Sequence, residues 1–282
     1  MNLPNTQPLS NAKRLLRLSS VLGATALAAG CATVTHPSPD DPWESYNRSM
    51  YTFNDTFDRA LLKPIATGYD QLMPDPAQTC IHNVFNNLGD VWSAINSFLQ
   101  GRGHDFVNTL GRVLFNSTMG LGGCIDVASM NGAKRIPNDF GVTLGVWGFD
   151  SGPYVVLPFL GSSSVRDGTA TLGTFAAGVS PVTPVFEIDN VPLRNSIIGL
   201  YAVDTRASLL DADKLVNEVA LDRYSFIRDA YIQRRNALVN SRRQGTELPD
   251  YSEEGSLPDY SDDDDAADAG AAPAAGASKT AQ

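Results

Sequence analysis

From Asp41 onward, apolar residues recur at helical spacing in one short segment after another, and nowhere do they run on for the roughly 18 residues a membrane-crossing helix requires. That combination restricts the chain to a mainly α fold of short amphipathic helices. The first is announced by DPWE, in which Asp41 suits an N-cap, Pro42 the first helical position and Glu44 the reciprocal capping residue. Tyr46, Met50, Phe53, Phe57 and Leu61 follow on one helical face. Pro64 is expected to close this helix, since it lacks a donor and disfavours helix in its predecessor. Asp75 and Pro76 open a second segment with Ala77, Cys80, Ile81, Val84, Phe85 and Leu88 on one side. Asp90 is expected to cap a third, 91–100, whose Val91, Ile95, Phe98 and Leu99 share a face ahead of Gly101. Phe106, Leu110, Val113 and Leu114 mark a fourth. Later helices are expected at 165–177, 205–218 and, long and polar, 222–243. Glycine and proline dominate 131–161, where loops are expected with one short helix over 139–146. Such helices either pack around a soluble core or lie in a membrane interface with the apolar side down.

The two ends narrow the choice. Lys13, Arg14 and Arg17 precede the apolar LSSVLGATALAAG, the pattern of a secretory signal over 1–30. Cys31 follows at once, and LAAGC resembles the lipobox of bacterial lipoproteins, although Ala28 stands three residues before the cysteine with Leu27 one step earlier. Lipidation of Cys31 is therefore expected, and the non-acidic Ala32 after it implies delivery to the outer membrane; the alternative is an ordinary cleaved signal. Residues 31–40 read as a linker and 41–244 as one helical domain. The segment 245–282 holds ten acidic residues against Lys279 alone, repeats LPDYS, and is expected to be a disordered acidic tail. Between these ends, seventeen basic residues face twenty-one acidic ones, a balance that argues against nucleic acid as a partner. Cys80 and Cys124 remain, either a disulfide in an oxidising compartment or two buried thiols.

Enzymatic motifs are missing. Gly120, Gly122 and Gly123 crowd into MGLGGCIDVA, which has three readings: a phosphate cradle, a nucleophile turn or a hinge. A phosphate loop needs a lysine and a hydroxyl just after its glycines, and GxGxxG needs a later third glycine. No GxSxG occurs. His36, His82 and His104 never stand three or four residues apart, and no CxxC is present, so no metal centre is expected. Asp126 and Asp167 could pair for acid and base work only as many carboxylates could. A non-enzyme without catalytic residue, metal or cofactor is expected.

YNRSMYTFND (46–55), INSFLQG (95–101), RVLFNSTMGLGGCIDVA (112–128), DFGVTLGVWGFDSGPYVVLPFLGSSSVRD (139–167), TRASLLDAD (205–213) and YSFIRDAYIQRRN (224–236), in this order behind a lipobox, resemble the MlaA lipoproteins, also called VacJ. The likeness runs from about Asp41 to Asn236 and leaves out the acidic tail. It implies a ring-shaped, mainly α single domain embedded in the inner leaflet of the outer membrane, its helices in the bilayer plane around a central polar channel. It further implies removal of phospholipids from the outer leaflet and their passage to a periplasmic carrier like MlaC, in complex with a trimeric porin of the OmpC or OmpF kind. Gly120, Gly122 and Gly123 then become candidates for the hinge of a segment that controls the channel, with helix capping and close packing as the alternative. Asn47, Arg48 and Asn54, inside the first motif, either face the lipid path or stabilise the fold. The competing class is a structural envelope lipoprotein that scaffolds a porin complex.

Overall fold

The computed structural model describes residues 38–245. Cys31, His36, the signal segment and the acidic tail lie outside them. Helices dominate: α1 (Glu44–Phe57), α2 (Lys63–Leu72), α3 (Asp75–Leu99), α4 (Gly103–Thr118), α5 (Val127–Met130), α6 (Phe140–Val146), α7 (Val165–Ala176), α8 (Thr183–Phe186), α9 (Val191–Ala207), α10 (Leu210–Val219) and α11 (Arg223–Gln244). Between α6 and α7 the strands β1 (Tyr154–Leu157) and β2 (Gly161–Ser164) form an antiparallel hairpin, Tyr154 opposite Ser164. No helix among the described residues is long and apolar enough to cross a membrane.

Several expected boundaries move, each for a physical reason. Asp41 does not cap α1, which starts at Glu44; its carboxylate is fully buried and accepts hydrogen bonds from Asn47, Tyr224 and Arg228. Pro64 does not end the first helix either. A π-helical turn, Asp58–Leu62, joins α1 to α2 with helical backbone throughout, and the switch to the wider bonding pattern just before Pro64, the Lys63 amide donating to Asp58, lets the helix continue past it. Asp90 sits inside the unbroken α3 because its carboxylate is held by arginines and has no capping to do. That helix ends as expected: Gly101 takes φ +71°, its amide donates to Phe98, and the Arg102 amide reaches Ser97, a Schellman closure. The helix expected at 205–218 is two, α9 and α10, and α9 begins fourteen residues earlier at Val191. The hairpin had no counterpart among the expected elements.

Apolar burial is sparse. The main cluster is Tyr154, Val156 and Tyr224, with Met50, Tyr51, Tyr231 and Ile232 packed on it. Its rings meet edge to face, Tyr51 with Tyr224 at 5.8 Å and Tyr154 with Tyr231 at 5.9 Å. This cluster ties α1, the hairpin and α11 together.

Candidate functional site

The faces of α3 and α4 are inverted relative to a soluble helical protein. Of α3, Asn87, Asp90, Ser93, Asn96 and Ser97 are buried, whereas Val84, Leu88, Val91, Ile95 and Phe98 are exposed. In α4 the buried stripe is Asp105, Thr109, Arg112 and Asn116, and Val107, Leu110, Leu114 and Phe115 point outward. The apolar faces read from the sequence are thus real, but they form the outside. Across the described residues, twenty-two buried side chains are polar or charged and ten apolar, while thirty-eight large apolar side chains stand exposed. Apolar exposure on this scale marks a membrane or protein interface.

Arg112 organises the polar interior. Its side chain is 1 % exposed; Nε faces Asp90 at 3.4 Å, Nη2 donates to Asp126 at 2.8 Å, and Nη1 donates to Ser129 Oγ and the Ala133 carbonyl. Arg135 completes Asp90 at 2.8 Å, and Asn116 bridges Asp126 and the Ala128 amide. Burial pushes the Asp126 carboxyl up, but hydrogen bonds from Ser129, Arg112 and Asn116 outweigh it and hold the pKa at about 2. A second ionic group fixes α11: Arg235 clasps Asp139 at 2.6 and 2.9 Å and faces Asp167 at 2.8 Å, where Tyr231 also donates. Burial raises the Asp167 pKa, and Arg235 and Arg166 more than reverse it. Asp126 and Asp167 therefore sit in separate ion-pair sets and form no acid–base pair. Neither set was foreseen; the visible signal was the four-three-four step Asp105, Thr109, Arg112, Asn116 along α4.

The family-motif residues have definite positions. Asn47 is fully buried: Nδ2 donates to Asp41 and to the Tyr154 carbonyl, and Oδ1 accepts from the Val156 amide. Asn54 repeats the arrangement seven residues on, donating to the Leu157 carbonyl and accepting from the Phe159 amide. Seven helical residues rise about 10.5 Å and three strand residues about 10 Å, so two asparagines two turns apart match the open edge of β1. Both tie α1 to the backbone of the hairpin, Asn47 from a fully buried position and Asn54 from a partly exposed one. Arg48 is half-exposed, bridges Glu44 and Asp222 at 2.8 and 2.7 Å, and lies 4.4 Å above the Tyr224 ring.

The three glycines differ. A Cβ on Gly120 would collide with the carbonyl oxygens of Asn116 and Ile125, a close-packing requirement. Gly123 adopts φ +96° against Asn87, and Gly122 adopts φ +74° with open space around it. Cys80 and Cys124 are joined by a disulfide. His82 Nδ1 lies 3.0 Å from Asp204, and His104 is exposed beside Asp105. Among the described residues no three His, Cys, Asp or Glu side chains are grouped to hold a metal.

Residues 39–238 match the model of the MlaA lipoprotein family. The chain is 36% identical over 231 residues to the "Intermembrane phospholipid transport system lipoprotein MlaA" of Escherichia coli (strain K12), covering 80% of this chain and 89% of that protein. The protein of the same name in Haemophilus influenzae is 34% identical over 230 residues, covering 79% of this chain and 90% of the relative. A solved structure reported as "Structural basis for maintenance of bacterial outer membrane lipid asymmetry" superposes with a TM-score of 0.59 at 35% identity, covering 71% of this chain and 99% of that one.

Proposed function

Since this chain belongs to the MlaA lipoprotein family, we propose that it is an outer-membrane lipoprotein of intermembrane phospholipid transport, which removes mislocalised phospholipids from the outer leaflet and so maintains lipid asymmetry. The observation that carries this reading is the inverted amphipathicity of α3 and α4, with arginine and aspartate inside and leucine, valine and phenylalanine outside. Acyl chains resist water by about 0.8 kcal/mol per methylene, on the order of 20 kcal/mol for two long chains. A charged headgroup resists hydrocarbon as strongly. A protein that presents apolar faces to the acyl region and polar groups inward lowers both penalties without any covalent step. On this reading the helices lie in the inner leaflet around a polar channel, anchored through acylated Cys31, and the lipid passes to a periplasmic carrier like MlaC beside a trimeric porin of the OmpC or OmpF kind. Gly122, free of packing contacts, is the position where the 120–124 turn would pivot to control passage.

The test is complementation of a strain lacking its own family member, together with delivery of labelled phospholipid from the purified protein to a carrier. Restored barrier function and lipid delivery are expected from the wild type and not from Cys31→Ala. A chain that binds porin but neither complements nor delivers lipid is a scaffold, and the transport reading fails.

A further inference from the structure

Three residues of α3 at spacings of three and four hold the end of α4 and the segment that links α4 to α5. Cys80 is disulfide-bonded to Cys124, Asn83 Nδ2 donates to the Cys124 carbonyl at 3.1 Å, and Asn87 Nδ2 donates to Ser117 Oγ at 2.9 Å. The docked segment runs through three successive left-handed residues, Leu121 at φ +53°, Gly122 at +74° and Gly123 at +96°. For Leu121, which is 75% exposed, that backbone is unfavourable and has little side-chain packing to impose it. Its restraint comes from the ends of the turn: Gly122 and Gly123 donate to the Ser117 and Asn116 carbonyls, and the Ile125 amide donates to Gly120. Beyond Cys124 the chain is fixed independently, because Asp126 is clasped by Arg112, Asn116 and Ser129. Both cysteines are half-buried, and Cys80 stands where the docking side of α3 meets its exposed apolar side.

We propose that Cys80 and Cys124 are a thiol–disulfide site that sets the mobility of the 120–124 turn and is addressed by a dithiol reductant or its oxidised counterpart. On reduction two electrons and two protons pass from the dithiol to the two sulfurs, the Sγ–Sγ bond breaks, two thiols form, and the dithiol closes to its own disulfide. The turn then keeps one side-chain hydrogen bond to α3, from Asn83 to the Cys124 carbonyl, while Asn87 still holds Ser117 at the end of α4, and Leu121 can leave the left-handed region. The Arg112 set keeps α4 and α5 together, so the release is local. This site is independent of the transport reading, since it rests on contacts within the chain.

The experiment uses the full chain in lipid nanodiscs, with and without dithiothreitol. Peptide mapping after maleimide treatment is expected to show Cys80 and Cys124 labelled only after reduction. Amide hydrogen exchange at Gly122, Gly123 and Ile125 is expected to rise at least tenfold on reduction, while Ala128 and the amides of 94–97 in α3 stay within twofold. A Cys80→Ser, Cys124→Ser double variant is expected to exchange like the reduced chain and to ignore dithiothreitol. Labelling without reduction, unchanged exchange in the turn, an equal rise throughout α3 and α4, or a double variant that still responds would each overturn the proposal.

Discussion

Replacing Leu114 by aspartate separates a lipid-facing surface from an ordinary solvent-facing one. Leu114 is 58% exposed on the outer face of α4. Full burial of a leucine side chain is worth roughly 1.5–3 kcal/mol, so its exposed part contributes about 1–2 kcal/mol when hydrocarbon covers it. A carboxylate placed there adds roughly 1–3 kcal/mol, the charge penalty falling from the bilayer midplane towards the interface. Membrane partitioning should therefore weaken by about 2–5 kcal/mol, roughly 30-fold to several thousand-fold. If water covered this face, the same change would alter stability by only about 0.5 kcal/mol and there would be no partitioning to lose. The assay is flotation with zwitterionic phosphatidylcholine vesicles, using Cys31→Ala protein so that the helices alone bind. Gln233→Asp on exposed, polar α11 adds the same charge and should float like its parent. A folded parent that stays wholly in the aqueous phase, or a Leu114→Asp protein that floats equally well, would refute the argument.

Arg112→Met leaves Asp90 with Arg135 alone and strips Asp126 of its guanidinium, a buried-pair loss of about 3–5 kcal/mol. Thermal unfolding in detergent should move down by roughly 6–20 °C, and a shift below about 2 °C would show that the set contributes little. Asp126 has a folded pKa of about 2, below its unfolded value of about 3.9. Its stabilisation is present above that unfolded value and lost as pH falls towards about 2. Asp126→Asn should accordingly flatten the melting-temperature profile between about pH 5 and 2, and parallel profiles would count against the pairing. Gly120→Ala must push aside two backbone oxygens, at about 1–3 kcal/mol or more, whereas Gly122→Ala meets only its positive φ, at about 1 kcal/mol. The reverse order in melting temperature would contradict the packing assigned to Gly120.

Helical periodicity made the faces of α3 and α4 legible, because Val91, Ile95 and Phe98 or Leu110 and Leu114 fall together whatever covers them. Periodicity names the residues that share a side; it is silent on whether that side meets protein or lipid. The remaining misreadings share one cause, partners distant in sequence. Asp90 has the local look of a cap, but its arginines stand 22 and 45 residues away. Tyr154–Leu157 is a short strand between Pro153 and Pro158, and what completes its open edge is Asn47 and Asn54, more than a hundred residues earlier. Asparagine in a helix gives no sign of such a task. Pro64 misleads because a single π-helical turn just before it, invisible in the pattern, carries the helix past the proline.

The same bonds constrain where a headgroup could travel. Arg112 donates to or faces Asp90, Asp126, Ser129 and the Ala133 carbonyl, and Asp90 has two arginines, so Arg112 and Asp90, each 1% exposed, have little hydrogen-bonding capacity left and almost no contact with solvent. The pair Asn47 and Asn54 is engaged in the same way with β1. A route for a charged headgroup needs polar groups that can exchange water for phosphate, which saturated buried groups cannot do without leaving partners unpaired. These interior sets are therefore framework: they allow the helices to turn their apolar sides outward, and they neutralise the charges that would otherwise sit in a medium of low dielectric constant. Half-exposed Arg48, bridging Glu44 and Asp222 above the face of the Tyr224 ring, keeps contact with solvent. Of the three residues in the first motif Asn47 is fully buried, Asn54 and Arg48 keep partial exposure, and Arg48 is the one that bears a positive charge.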